Sequence, residues 1–132
     1  MKIITLCGSL KFKKEMMETA EKMALKGNCI LTPVYPVLEN YERTDEQQKK
    51  LKEEHFKRIE LADAILVVNV NNYIGNSTNL EIEYARKLGK EIPPIITSNP
   101  SSTAIIQGWS KTFFTIFFRL TACSKQDRKS VV

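Results

Sequence analysis

Residues 64–70 read Ala-Ile-Leu-Val-Val-Asn-Val, the longest apolar, β-branched run in the first two-thirds of the chain. Such a run is expected to form a strand buried on both faces, which is the signature of a parallel sheet covered by helices. The segments around it repeat the pattern. Immediately upstream, Leu51, His55, Ile59 and Ala62 recur at helical spacing in an otherwise polar stretch, and Thr44 with Gln47 has the spacing of a capping box at its start. Further upstream, Lys2–Cys7 (KIITLC) reads as a second buried strand, broken by Gly8-Ser9. A helix with apolar Met16, Met17, Ala20, Met23 and Ala24 follows, closed by Gly27, and Cys29–Thr32 is a strand stopped by Pro33. Downstream, a loop at 71–76 leads to a helix ending near Gly89. Ile92–Thr97 is then a fourth strand whose start is disturbed by Pro93 and Pro94.

Strands alternating with helices over short connections predict an α/β fold. The expected architecture is a flavodoxin-like doubly wound parallel sheet of four to five strands with helices on both faces, forming one domain over residues 1–122. Residues 103–121 carry Ile106, Trp109, Phe113, Phe114, Phe117 and Leu120 at amphipathic spacing. They predict a last helix that covers the sheet or meets a second subunit. Lys111 and Arg119 interrupt that apolar face, so it is not read as a membrane span. Residues 123–132 are expected to be disordered.

The chain has 132 residues, is 42% hydrophobic and 27% charged, and carries a formal charge of +5. The basic excess does not form a nucleic-acid track. Residues 93–132 hold five Lys/Arg and one acid, while residues 1–92 hold 15 basic and 14 acidic residues and are nearly neutral. No partner of nucleic-acid or membrane type is expected. Cys7, Cys29 and Cys123 are odd in number and lack metal-ligand spacing, and the N-terminal apolar run is too short for a secretory signal. A reducing, cytoplasmic setting without metal or cofactor follows as the expectation.

Ligands of doubly wound sheets bind beyond the carboxyl ends of the strands, where Gly8-Ser9, Pro33–Tyr35 and Asn69–Thr78 are expected to lie. Glu81 is the leading candidate for chemistry. Glu81, Tyr84, Ala85 and Leu88 fall at i, i+3, i+4 and i+7, which places the carboxylate on an apolar helix face, in the first turn where the helix dipole favours an anion. An ionised carboxylate there suits attack on an electrophilic sugar carbon. Thr78 and Glu81 also have capping-box spacing, so Glu81 tying down its own helix is the competing structural role. His55, the only histidine, lies on an apolar stripe. It is either a satisfied core residue or a proton donor near the sugar or leaving base. In Cys7-Gly8-Ser9-Leu10-Lys11, the glycine allows close backbone approach, free N–H groups can bind an anion, and Lys11 adds charge. An ordinary tight turn explains the same residues. Ser77 is a candidate for sugar or phosphate oxygens or a simple cap, and Asp63 either closes the second helix or contacts substrate.

Taken together, these pieces resemble the nucleoside 2-deoxyribosyltransferase family and its relative, the 2′-deoxynucleoside 5′-phosphate N-hydrolase, from Lys2 to Ile92. Glu81-Ile82-Glu83-Tyr84-Ala85 with Gly89-Lys90 looks like the family's Glu-x-Gly-Tyr-Ala…Gly-Lys segment, whose first glutamate is the nucleophile. Ala62-Asp63 matches an acidic residue before the apolar strand, and Leu6-Cys7-Gly8-Ser9 looks like the hydrolase's opening turn, where the serine helps hold the 5′-phosphate. The resemblance implies cleavage or transfer at the N-glycosidic bond of a (deoxy)nucleoside or nucleoside 5′-monophosphate. Glu81 and His55 would be catalytic, with Gly8, Ser9, Lys11, Asp63, Asn69 and Ser77 binding substrate in a homo-oligomer. The chain departs from the family at His55 and Gly75, where aspartates are usual, at Thr5 in place of the hydrolase's tyrosine, and at Glu83 in place of glycine. Two other readings stay open: a nucleotide-binding or sensing module on the same fold, and an interaction domain docking through the aromatic tail.

Overall fold

A computed structural model describes residues 1–94 together with the strand Ile96–Thr97, all within one compact unit, Met1–Ser102. The expected helix at 103–121 and the tail at 123–132 lie outside the described residues. In chain order the elements are β1 (Ile3–Gly8), a 3₁₀ turn (Leu10–Phe12), α1 (Lys13–Leu25), β2 (Cys29–Leu31), α2 (Asp45–Leu61), β3 (Ala64–Asn69), α3 (Asn76–Lys87) and β4 (Ile96–Thr97). Among these residues no helix is long and apolar enough to cross a membrane.

The strands form a parallel sheet in the order β2-β1-β3-β4. The chain steps from β1 to one side and then crosses back to the other, so the direction of winding reverses between β1 and β3. That reversal is the switch point at which doubly wound sheets open a crevice. Right-handed crossovers place the connections on opposite faces. Accordingly α1 packs on β1, β2 and β3, whereas α2 and α3 pack against each other and against β1.

β3 is buried at all six positions, as its apolar run demands. Side-chain alternation divides β1 between the faces. Cys7 joins Ile59 of α2, Ile82 and Ala85 of α3, and Ile65 and Val67 of β3 in one core cluster. Thr5 faces the same way, its Oγ1 donating to the carbonyl of Arg58 at 2.9 Å. Ile4 and Leu6 are also buried and belong to the opposite, α1 face, where Met16 and Met23 supply the buried side chains of that helix. The apolar stripe of α1 is narrower than its sequence suggests, because Met17 and Ala24 are exposed.

The helix ends follow local chemistry. Thr44 and Gln47 form the expected capping box at the start of α2, with Oγ1 of Thr44 accepting from the Gln47 N–H at 3.3 Å and Gln47 Oε1 accepting from the Thr44 N–H at 3.0 Å. α1 gives way at Gly27, whose φ of 89° is readily adopted only by glycine. Ser9 caps the short 3₁₀ turn, accepting from the Lys11 N–H, and not α1 itself.

Candidate active site

α3 begins one turn earlier than the Thr78–Glu81 spacing suggests. Its N-cap is Gly75, and the first helical hydrogen bond runs from the Asn79 N–H to the Gly75 carbonyl at 3.0 Å. Two expectations are corrected by this start. Glu81 lies in the second turn and is neither a capping residue nor in the reach of the N-terminal dipole, which fades within the first turn. The inward stripe is Thr78, Ile82 and Ala85, all buried, and Glu81 sits on it at the i+3 position of Thr78. Tyr84 is half-buried and packs against the same core cluster as Ile82 and Ala85, whereas Leu88 is exposed and leaves the stripe. The Tyr84 hydroxyl donates to Glu60 at 2.7 Å.

On this stripe Glu81 meets two other groups. His55 projects from α2 and is 6% exposed, and Cys7 near the end of β1 is fully buried. His55 Nε2 lies 3.6 Å from Glu81 Oε2 and 3.7 Å from Cys7 Sγ. The first distance is an ion-pair separation, too long for an N–H···O hydrogen bond. Burial, first, and then the negative charge of the neighbouring Glu81 hold the Cys7 thiol well above its ordinary pKa. Cys7 is thus a protonated thiol at neutral pH and no nucleophile.

Four buried side-chain atoms among the described residues have no hydrogen-bond partner: Tyr35 OH, His55 Nδ1, Asn69 Oδ1 and Glu81 Oε2. Each such atom costs about 1–3 kcal/mol. Cores ordinarily avoid that cost, and two of the four atoms belong to the His55–Glu81 pair. Asn69 ends β3, Tyr35 follows β2, and Cys7, which touches His55, is one residue from the end of β1. The group therefore sits toward the carboxyl edge of the sheet, beside the β1/β3 switch point.

The remaining candidates fall into two sets. Gly8, Ser9, Lys11 and Ser77 lie at this same edge. Gly8 is required by packing: a Cβ there would stand 2.9 Å from the Val68 carbonyl oxygen. Ser9 is half-buried, and Lys11 extends its ammonium over the Tyr73 ring at 5.0 Å from the centroid. Ser77 is exposed in the first turn of α3. Asp63 is separated from all of them. It precedes β3, about 20 Å along the strand direction from Asn69. There its carboxylate accepts from the Ile3 N–H at 2.8 Å, joining β1 to β3 at the amino edge.

The Cys7 side chain and Tyr73 are two members of this edge that the sequence does not single out. The signal for Cys7 was present: within KIITLC, Thr5 and Cys7 alternate with Ile4 and Leu6, so the less apolar pair shares one face. Tyr73 stacks edge-on with Phe12 at 6.2 Å, a contact between two loops that no local pattern encodes.

The structure thus brings a carboxylate and an imidazole together on a parallel α/β sheet, beside its switch point. No family model matches the chain, and no curated protein sequence does. Solved structures do. A 2-deoxyribosyltransferase from Bacillus psychrosaccharolyticus, a biocatalyst for nucleoside synthesis, superposes with a TM-score of 0.61 at 18% identity, over 79% of this chain and 76% of that one. A 2-deoxyribosyltransferase from Leishmania mexicana does so with a TM-score of 0.57 at 19% identity. That match spans 75% of this chain and 66% of the other, just under two-thirds of its length. At such identities the likeness establishes a shared fold.

Proposed function

We propose that this chain cleaves or transfers at the N-glycosidic bond of a (deoxy)nucleoside or nucleoside 5′-monophosphate, with Glu81 as the nucleophile. The observation that carries the proposal is the buried Glu81 Oε2, unpartnered and 3.6 Å from His55 at the carboxyl edge of the sheet. The shared fold with 2-deoxyribosyltransferases supports nucleosides as the substrate class.

In the proposed reaction a carboxylate oxygen of Glu81 bonds to C1′ as the C1′–N bond breaks, and the base leaves with the electron pair and takes up a proton from solvent water. The resulting glycosyl ester is resolved by water, giving hydrolysis, or by a second base, giving transfer. His55 stands closer to the nucleophile than the 5–5.5 Å that separates the two carboxyl groups of a retaining glycosidase. We assign it the role of orienting Glu81 and stabilising its charge. Asn69, whose Oδ1 is free to accept, is a candidate for a substrate hydroxyl or base edge. Ser9, Lys11 and Ser77 lie at the same edge and are the candidates to hold the sugar or a 5′-phosphate. Asp63, at the far edge, has no part in this scheme.

The test is release of free base from a panel of deoxynucleosides and their monophosphates. Glu81→Gln, close in shape, should lower the rate by about 10³-fold or more while leaving the circular dichroism spectrum unchanged. Folded wild-type protein that releases no base from any member refutes the proposal. Thermal stabilisation by a nucleotide without turnover would identify a binding module instead.

A further inference from the structure

We infer that Cys7, His55 and Glu81 together form a binding site for one borderline-soft divalent cation of the Zn²⁺ type. The three come from β1, α2 and α3, and their ligand atoms (Sγ, Nε2 and a carboxylate oxygen) all lie within 4.8 Å of one another. With ordinary zinc–sulfur, zinc–nitrogen and zinc–oxygen lengths, a tetrahedral ion holds its ligand atoms about 3.4–3.6 Å apart. The observed sulfur–nitrogen and nitrogen–oxygen separations are 3.7 and 3.6 Å. An ion therefore fits among them with shifts of a few tenths of an ångström and a swing of the carboxylate.

A second observation points the same way. Glu81 Oε2 is buried and has no hydrogen-bond partner, with His55 Nε2 standing off at 3.6 Å. A cation would satisfy it. Charge also balances, because a divalent ion with one thiolate, one carboxylate and one neutral imidazole is a neutral complex, the form that a buried site tolerates best. The coordination step is M²⁺ plus the Cys7 thiol giving the Cys7 thiolate–metal bond, with the proton released to solvent. Thiolate with imidazole selects zinc-like ions over Mg²⁺ and Ca²⁺. Three protein ligands leave a fourth position open. Such an ion occupies the carboxylate assigned above as nucleophile, so the cation and the glycosyl chemistry would exclude one another.

The inference is tested on the full chain without substrate, so it stands or falls apart from the glycosyl reaction. Co²⁺ is titrated into reduced, chelator-stripped protein, and the near-ultraviolet thiolate-to-cobalt charge-transfer band is recorded. Equilibrium dialysis against Zn²⁺ then gives the stoichiometry. One ion per chain is expected, with a band that Zn²⁺ abolishes by displacement. Cys7→Ser should remove the band. His55→Gln should keep the thiol but weaken the apparent affinity by about tenfold or more. Cys29→Ser should change neither. Absence of the band in wild-type protein overturns the inference, as does a band that survives Cys7→Ser or disappears with Cys29→Ser. If Cys7→Ser fails to fold by circular dichroism, His55→Gln decides: unchanged affinity in that variant also overturns it.

Discussion

The buried thiol of Cys7 makes the stability of this fold fall at alkaline pH by an amount that can be worked out in advance. Cys7 is fully buried, and its burial together with the Glu81 charge raises the thiol well above the ordinary value of 9.0. The folded state therefore keeps the proton over a range in which the unfolded chain has begun to lose it. Stability from this group is complete below pH 9.0 and is lost as pH rises toward the folded value. With the unfolded thiol titrating at 9.0, the loss between pH 8 and pH 10 is on the order of 1 kcal/mol. Other groups also titrate there. Tyr35 is raised by burial and Tyr84 by its bond to Glu60, so the wild-type curve alone does not isolate Cys7. The difference between wild type and Cys7→Ala does, because those groups are common to both. Urea unfolding would be followed at pH 8, 9 and 10 with a reductant and a chelator present. The variant should start less stable at pH 8 by about 1 kcal/mol, the cost of deleting one buried heavy atom. The wild-type advantage should then shrink, by on the order of 1 kcal/mol, as pH rises to 10. Parallel curves for the two proteins would refute the assignment of Cys7 as a thiol protonated by its surroundings.

Other perturbations test the frame around the site. Gly8→Ala forces a Cβ to within 2.9 Å of the Val68 carbonyl oxygen, and the β1/β3 pair should lose about 1–3 kcal/mol in chemical denaturation. Asp63→Ala removes the acceptor for the Ile3 N–H and should cost about 1 kcal/mol, while base release stays at the wild-type rate because the residue lies at the opposite edge. A drop in rate at unchanged fold would return Asp63 to the site. Thr44→Ala breaks half of the capping box on α2 and should cost about 0.5–2 kcal/mol by urea unfolding, with no change in substrate dependence.

Much of the architecture was legible in local patterns. The continuous β-branched run AILVVNV reads as a buried strand because its side chains are apolar on both faces, and Thr44 with Gln47 opens a helix because the two satisfy each other's free backbone N–H groups within one turn. The boundaries were less secure. Thr78 and Glu81 have the spacing of a cap, but the helix starts at Asn76, since Gly75 supplies the first helical carbonyl and leaves Thr78 to be buried against the sheet. That shift of one turn removes the capping role from Glu81 and leaves the inward-facing position that its spacing already implied.

The sequence by itself determined the alternation of strands and helices, the buried character of the strands, and which residues had chemistry to offer. Those features depend on periods of two and 3.6 residues, which any short stretch carries. Only the tertiary structure decided which of the candidates meet. Cys7 and His55 are 48 residues apart, and they touch because strand register turns Cys7 toward the face on which α2 and α3 pack. Asp63 and Asn69 bound the same strand yet serve opposite edges of the sheet, since parallel strands put all their carboxyl ends on one side. Register and helix packing are properties of the assembled sheet, so no local pattern could distinguish a residue of the site from one that ties the sheet together.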